Sequence, residues 1–165
     1  MARAKNVERM TAAQAAARAE PDGHTILMVT DAMVTIDPHL ATSNHFDLST
    51  AMEPVVNVAW SPLLLAAASN VPANSVAELV ALGKQKTQNL SFGSSGSSTP
   101  HRLAGEMLQK YGGFTMTHIP YKGTAASVND LLGGQIPLLF GAPTAVEPLA
   151  TAGKIKLLGV TSEKR

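Results

Sequence analysis

From residue 90 onward, short apolar runs alternate with longer amphipathic ones, and glycine or proline punctuates them. Leu90-Ser91-Phe92, Thr115 to Pro120, Ile136 to Phe140 and Ile155 to Val160 read as strands. The segments between them carry helical spacing. Thr99 is placed to cap the first helix, with Pro100 at its first position, where a missing N–H costs nothing. Leu103, Met107 and Leu108 form the apolar face of that helix, and Gly112-Gly113 end it. Gly123-Thr124 opens a second helix through Leu132, closed by Gly133-Gly134. Thr144-Ala145-Val146-Glu147 has the form of a capping box for a third, which Gly153 ends. Strand and helix in strict alternation imply right-handed crossovers and a mainly parallel sheet covered by helices.

The first half is looser. Residues 7–19 are alanine-rich, with polar positions spaced as on a helix surface, and Pro21-Asp22-Gly23 stops that helix with a turn. Thr25 to Thr30 reads as a buried strand. Residues 31–50 read as irregular, with Asp37-Pro38 and the polar cluster Thr42-Ser43-Asn44. Pro54 to Ala68 is broken by Pro62 and reads as two strand segments or one bent strand. Ser75 and Glu78 form a second capping box, which predicts a helix over 76–86. The chain therefore divides into a partial α/β piece over 1–88 and a βαβαβαβ piece over 89–165, with the boundary near Thr87-Gln88-Asn89.

Composition narrows the function. Hydrophobic residues make up 45% of the chain and charged residues 15%, enough for a packed core. The net charge is +1 with no basic stripe, and aromatics are too few to stack bases, so nucleic acid is an unsuitable partner. The absence of cysteine excludes disulfides and thiolate metal sites. The longest apolar run, Pro62 to Ser69, is far short of a membrane span. At the N-terminus Glu8, Arg9, Gln14 and Arg18 interrupt the apolar stretch that a secretory signal needs. On that reading no signal peptide is expected, and a chain complete as it stands would remain in the cytoplasm.

Three loops would leave the carboxyl edge of the predicted sheet, where α/β proteins bind ligands: Gly93 to Thr99, Tyr121 to Thr124 and Gly141 to Thr144. They consist of Gly, Ala, Ser, Thr and Pro, with Tyr121 and Lys122 the larger exceptions. Small side chains let a ligand approach the backbone, and unpaired N–H groups at helix starts favour an anion. That is the chemistry of a carboxylate cradle, although each loop is also accounted for as a plain helix cap. Lys122 could pair with the anion or be solvated. His24, His39, His45, His101 and His118 show no metal-ligand spacing, so neither metal nor cofactor is expected. Gly93-Ser94-Ser95-Gly96 lacks the G-x-S-x-G spacing of a nucleophile elbow and does not extend to a dinucleotide fingerprint. A small hydrolase using Ser95 or Ser98 with His101 is an alternative that lacks an acid to orient the histidine.

The loops and their order resemble the Bug (TctC-like) family, the substrate-binding proteins of tripartite tricarboxylate transporters. The resemblance rests on Leu-Ser-Phe-Gly-Ser-Ser-Gly at 90–96, on the runs 101–106 and 118–123, on Asp130-Leu131-Leu132-Gly133-Gly134-Gln135, and on Ala152-Gly153-Lys154 and Val160-Thr161-Ser162. Upstream, residues 17–25 and 71–79 match as well. The resemblance implies an α/β, periplasmic-binding-protein-like (Venus-flytrap) fold, with one complete parallel-sheet lobe and one incomplete lobe. It implies a periplasmic, non-enzymatic binding protein for a dicarboxylate, acidic amino acid or aromatic acid, serving the membrane components of a tripartite tricarboxylate transporter. The matching ligand contacts are Ser94, Ser95, Gly96 and Ser98 in the first loop, Lys122, Gly123 and Thr124 in the second, and Thr30 and Asp31 after the first-lobe strand. The chain departs from the family pattern at Gly141-Ala142, where an Asp-Asn pair is common. It departs again at Asp31, where a small neutral residue is usual and an added carboxylate would repel an anion unless paired. The family's leading strand and closing segment are expected to be missing. An incomplete lobe leaves apolar edges exposed, which favours self-association or a role as an oligomeric interaction module.

Overall fold

The computed structural model describes residues 11–40, 46–85 and 89–163, so the cluster Thr42-Ser43-Asn44 and most of the expected boundary lie outside the described residues. The chain forms two compact units, Met1–Val58 and Ala59–Arg165.

The second unit is built on a five-stranded sheet of order β3-β2-β4-β1-β5. Its elements are β1 (Leu64–Ala68), α1 (Val76–Lys84), β2 (Ser91–Ser94), α2 (Pro100–Gly112), β3 (Thr117–Pro120), α3 (Thr124–Leu132), β4 (Leu138–Gly141), α4 (Pro143–Thr151) and β5 (Ile155–Val160). β2 pairs in parallel with β3 and β4. β1 runs antiparallel to both β4 and β5. The α/β class and the parallel-rich sheet agree with the alternation in the sequence. The inserted antiparallel strand was not foreseen, and it moves the division of the chain. With β1 hydrogen-bonded on both sides, the structural boundary falls at 58/59, upstream of the one read near 87–89.

The core is mainly aliphatic, with Phe92, Phe114 and Phe140 among its buried residues, and draws on positions from Leu63 to Leu158. Strands buried on both faces need near-unbroken apolar runs, and Leu138-Leu139-Phe140 supplies one in β4. α2 packs through its small residues. A Cβ on Gly105 would stand 2.2 Å from the Phe92 ring, so only glycine lets this helix approach β2 so closely. Leu103 and Met107, expected on the buried face, are instead about half exposed. Leu108 does pack against the core.

Local signals explain several boundaries. The Ser75 hydroxyl accepts from the Glu78 N–H at 3.2 Å, and the Glu78 carboxylate reaches back to the Asn74 N–H at 2.8 Å. Thr99 caps α2 through the Arg102 N–H, and Gly113 closes it in the left-handed conformation at φ 69°. The capping box expected at Thr144 does not form. Pro143 takes the first turn of α4, which makes Ala142 the N-cap, with no side-chain bond.

The first unit differs from its expected form. A helix covers 11–17, and Asp22 closes the following turn by accepting from the His24 N–H at 2.9 Å. Residues 31–50 contain short helical turns at Ala32–Thr35, Asp37–Leu40 and Leu48–Ala51 where irregular chain was expected. Thr25 to Thr30 forms no strand, and among the described residues no strand pairs with it. The upstream part of Pro54 to Ala68 likewise forms no regular element, and the strand begins only at Leu64.

Candidate functional site

Strand direction places Ser94, Pro120 and Gly141, the last residues of β2, β3 and β4, on one edge of the sheet. The three small-residue loops read from the sequence therefore leave side by side, each running into a helix N-terminus. At α3 the N-cap is Gly123, and no side chain caps the helix; the same holds at α4. The first-turn N–H groups there have no side-chain acceptor, which is the condition under which a helix start attracts an anion. Gly123 has φ 142°, and nothing lies within 4 Å of where its Cβ would be. A ligand can thus reach the backbone at this point.

The first loop is held from beneath. Ser94 is fully buried, and its hydroxyl meets the Gly96 carbonyl at 2.9 Å, the Gly96 N–H at 3.3 Å and His118 Nε2 at 2.6 Å. The Thr99 hydroxyl donates to the same Gly96 carbonyl at 2.8 Å. Arg102 donates to the Ser97 carbonyl at 3.3 Å. The peptide bonds of the described residues are trans, so each C=O points opposite to the N–H of its own peptide plane. With the carbonyls of Gly96 and Ser97 turned toward protein donors, the N–H groups of Ser97 and Ser98 face the other way. Successive N–H groups presented together form an anion-binding concavity.

Two histidines, assigned no ligand role in the sequence, lie under this loop. The His118 ring stacks obliquely on Phe92, with centroids 5.1 Å apart. Burial lowers its pKa and the Arg102 charge lowers it further, while Glu106 works in the opposite direction. His101 Nδ1 lies 3.1 Å from the Ser95 hydroxyl, and burial lowers its pKa as well. His101 Nε2 is buried without a hydrogen-bond partner. Among the described residues no acid orients the Ser95–His101 pair, the third member that the hydrolase alternative would need. At the second loop, Tyr121 donates to Asp130 at 2.7 Å and so ties the loop to α3. Burial, the Asp130 hydrogen bond and the Asp130 charge push the Tyr121 pKa up to about 12.

Ser94, Ser95, Gly96, Ser98, Lys122, Gly123 and Thr124 thus all belong to the loops at this edge. Lys122 is exposed. Thr30 and Asp31 belong to the other unit. There Asp31 caps the turn Ala32–Thr35, its carboxylate accepting from the Ala32 N–H at 2.9 Å. A shallow concavity lined by Gly83, Lys84, Gln109, Gly113, Phe114 and Thr115 sits by the C-terminal ends of α1 and α2. Helix C-termini repel anions, while Lys84 attracts them, so the concavity lacks the helix N-termini that the loop edge offers. Among the described residues no group of three His, Asp or Glu could hold a metal ion, and no helix is long and apolar enough to cross a membrane.

The parallel-rich α/β unit carries its small-residue loops at the strand ends, and the chain belongs to the tripartite tricarboxylate transporter receptor family, TctC, whose pattern it matches over residues 5–165. It is 31% identical to a UPF0065 protein of Bordetella bronchiseptica over 93% of this chain and 45% of that protein. Among solved structures it resembles the periplasmic binding protein BugD, with 35% identity and a TM-score of 0.76 over 91% of this chain and 50% of that one. An R. palustris protein solved with adipate is similar to the same degree: 30% identity, TM-score 0.76, 94% of this chain and 52% of that one. The chain spans about half the length of the relatives it matches.

Proposed function

We propose that this chain binds a small carboxylate, with dicarboxylates the foremost class, as part of a periplasmic receptor serving a tripartite tricarboxylate transporter. The observation that carries the reading is the gathering of three loops at one sheet edge. They bring the N–H groups of Ser97 and Ser98, turned away from the donors that hold the neighbouring carbonyls, and the N-terminus of α3, which no side chain caps. Family membership and the adipate held by a 30% identical relative support it. The site offers hydrogen bonds more than fixed charge, which suits a ligand that must later be released. Thr30 and Asp31 remain proposed contacts on the family resemblance alone. Ser94 makes a direct contact only by exchanging its present bonds. The proposed role is binding without turnover.

A thermal-shift titration against mono-, di- and tricarboxylates and acidic amino acids tests this. Binding to the folded state alone stabilises by roughly 2.7 kcal/mol at a hundredfold excess over Kd. A saturable shift with dicarboxylates is expected. A cooperative melt that no acid moves would contradict the reading.

A second reading, of an oligomeric interaction module, is favoured by one observation. Val55, Val56, Val58 and Trp60 are 80%, 76%, 73% and 89% exposed in a segment that, among the described residues, pairs with no strand. Such segments invite pairing with another chain. Trp60 is the sole tryptophan. Its emission should shift to the blue as concentration rises if this segment self-associates, and the shift should vanish in Val56→Lys. Concentration-independent emission and a monomeric sedimentation profile would remove this reading.

A further inference from the structure

The Ser94 hydroxyl carries one proton and is surrounded by three groups. The Gly96 N–H donates to it, while the Gly96 carbonyl at 2.9 Å and His118 Nε2 at 2.6 Å remain. If the proton went to His118, the Ser94 and Gly96 oxygens would face each other at 2.9 Å with no hydrogen between them, which is repulsive. If it goes to Gly96, all three contacts are satisfied at once, provided that His118 Nε2 bears a hydrogen and donates it. The imidazole is therefore a donor at Nε2. Burial and the Arg102 charge disfavour its cationic form, against the Glu106 charge, and the hydrogen-bond geometry points to the Nε2–H tautomer. The charged groups that bear on the ring, Arg102 and Glu106, both lie on α2, and its stacking partner Phe92 is neutral.

This hydrogen reaches the loop surface through the backbone. His118 fixes Ser94, Ser94 and Thr99 together fix the Gly96 carbonyl, and that carbonyl shares a rigid peptide plane with the Ser97 N–H. We propose that His118 is a positioning residue for carboxylate binding: as an Nε2–H donor to Ser94 it sets the direction of the Ser97 N–H, without itself touching the ligand. The inference rests on the carboxylate reading above and adds to it a group 24 residues away from the loop it orients.

Adipate is the probe, and calorimetric titration of the whole chain is the measurement. His118→Leu keeps an apolar side chain against Phe92 and removes the donor, and should weaken adipate roughly tenfold, the size of one lost hydrogen bond of moderate strength. His118→Gln offers an amide N–H at about the same reach and should recover most of that loss. A merely space-filling role would not show this rescue. Ser94→Ala should weaken binding similarly, and the double variant Ser94→Ala with His118→Leu should be no weaker than the worse single one. Equal affinity in wild type and His118→Leu would overturn the proposal, as would additive losses in the double variant. The 15N spectrum of the His118 ring decides the tautomer without any ligand: a hydrogen on Nε2 supports the proposal, and a bare Nε2 overturns it. If the wild type binds no carboxylate at all, the parent reading fails, while the ring spectrum still decides the hydrogen-bond assignment.

Discussion

Val55 to Trp60 and Leu64 to Ala68 are near neighbours in the sequence, and both are rich in apolar residues, yet they meet opposite fates. Ala66 and Ala67 are completely buried, while Val55, Val56, Val58 and Trp60 stand in solvent. The difference is not composition. β1 has β4 on one side and β5 on the other, whereas the upstream segment has no strand beside it. An apolar extended run specifies a strand only when the rest of the fold supplies its neighbours, because burial comes from the layers around it. Residues 25–30 teach the same lesson, with Ile26 and Met28 exposed in a segment that forms no regular element.

The contrast can be broken by mutation. The largest effect is expected for Leu139→Ala in the centre of the sheet, where a fully buried side chain would leave a cavity. It should cost about 3 kcal/mol in urea unfolding, whereas Ile26→Ala should change stability by less than about 0.5 kcal/mol. Comparable losses at the two positions would show that the first unit packs as firmly as the second. Gly105→Val should cost about 2 kcal/mol, because the added Cβ meets the Phe92 ring. A fully stable variant would mean that α2 can move away from β2 without penalty. Ser75→Ala should cost about 1 kcal/mol through loss of a formed cap. Thr144→Ala should cost less than about 0.5 kcal/mol, since no cap exists there to lose.

The smallest effect is a pH dependence confined to the second unit. His101 and His118 both have folded pKa values below the ordinary 6.5. The unfolded chain therefore binds more protons than the folded one as pH falls below about 6.5, and stability must fall with it until the lowered folded values are passed. Melting temperatures recorded from pH 7.5 to 5 should decline on the acid side, less so in His118→Gln. A melting temperature that rises toward pH 5 would contradict the direction assigned to both rings.

Much of the second unit was legible because its signals are local. Thr99-Pro100 and the Ser75 box announce helix starts, and Gly113 announces an end. Where nonlocal pairing decides, the pattern was silent. Nothing in Leu64 to Ala68 says that it slots antiparallel between two strands from the far end of the chain. At Thr144 the capping-box pattern lost to Pro143, which starts the helix earlier. The loops of the candidate site were visible as small-residue clusters flanked by strand and helix. Their support was not, because His118 and Ser94 meet only once β2 and β3 lie side by side. A histidine near a loop with a buried serine at the end of the neighbouring parallel strand is the signal that could have found it.

The most direct test of the account is an amide NMR titration of the 15N-labelled chain with adipate. The account predicts saturable shifts concentrated at Ser95 to Ser98 and at Gly123 to Ala126, with little change along α1. Shifts centred on Gly83, Lys84 and Gly113, or none at saturating adipate, would contradict a carboxylate site at the loop edge of the sheet.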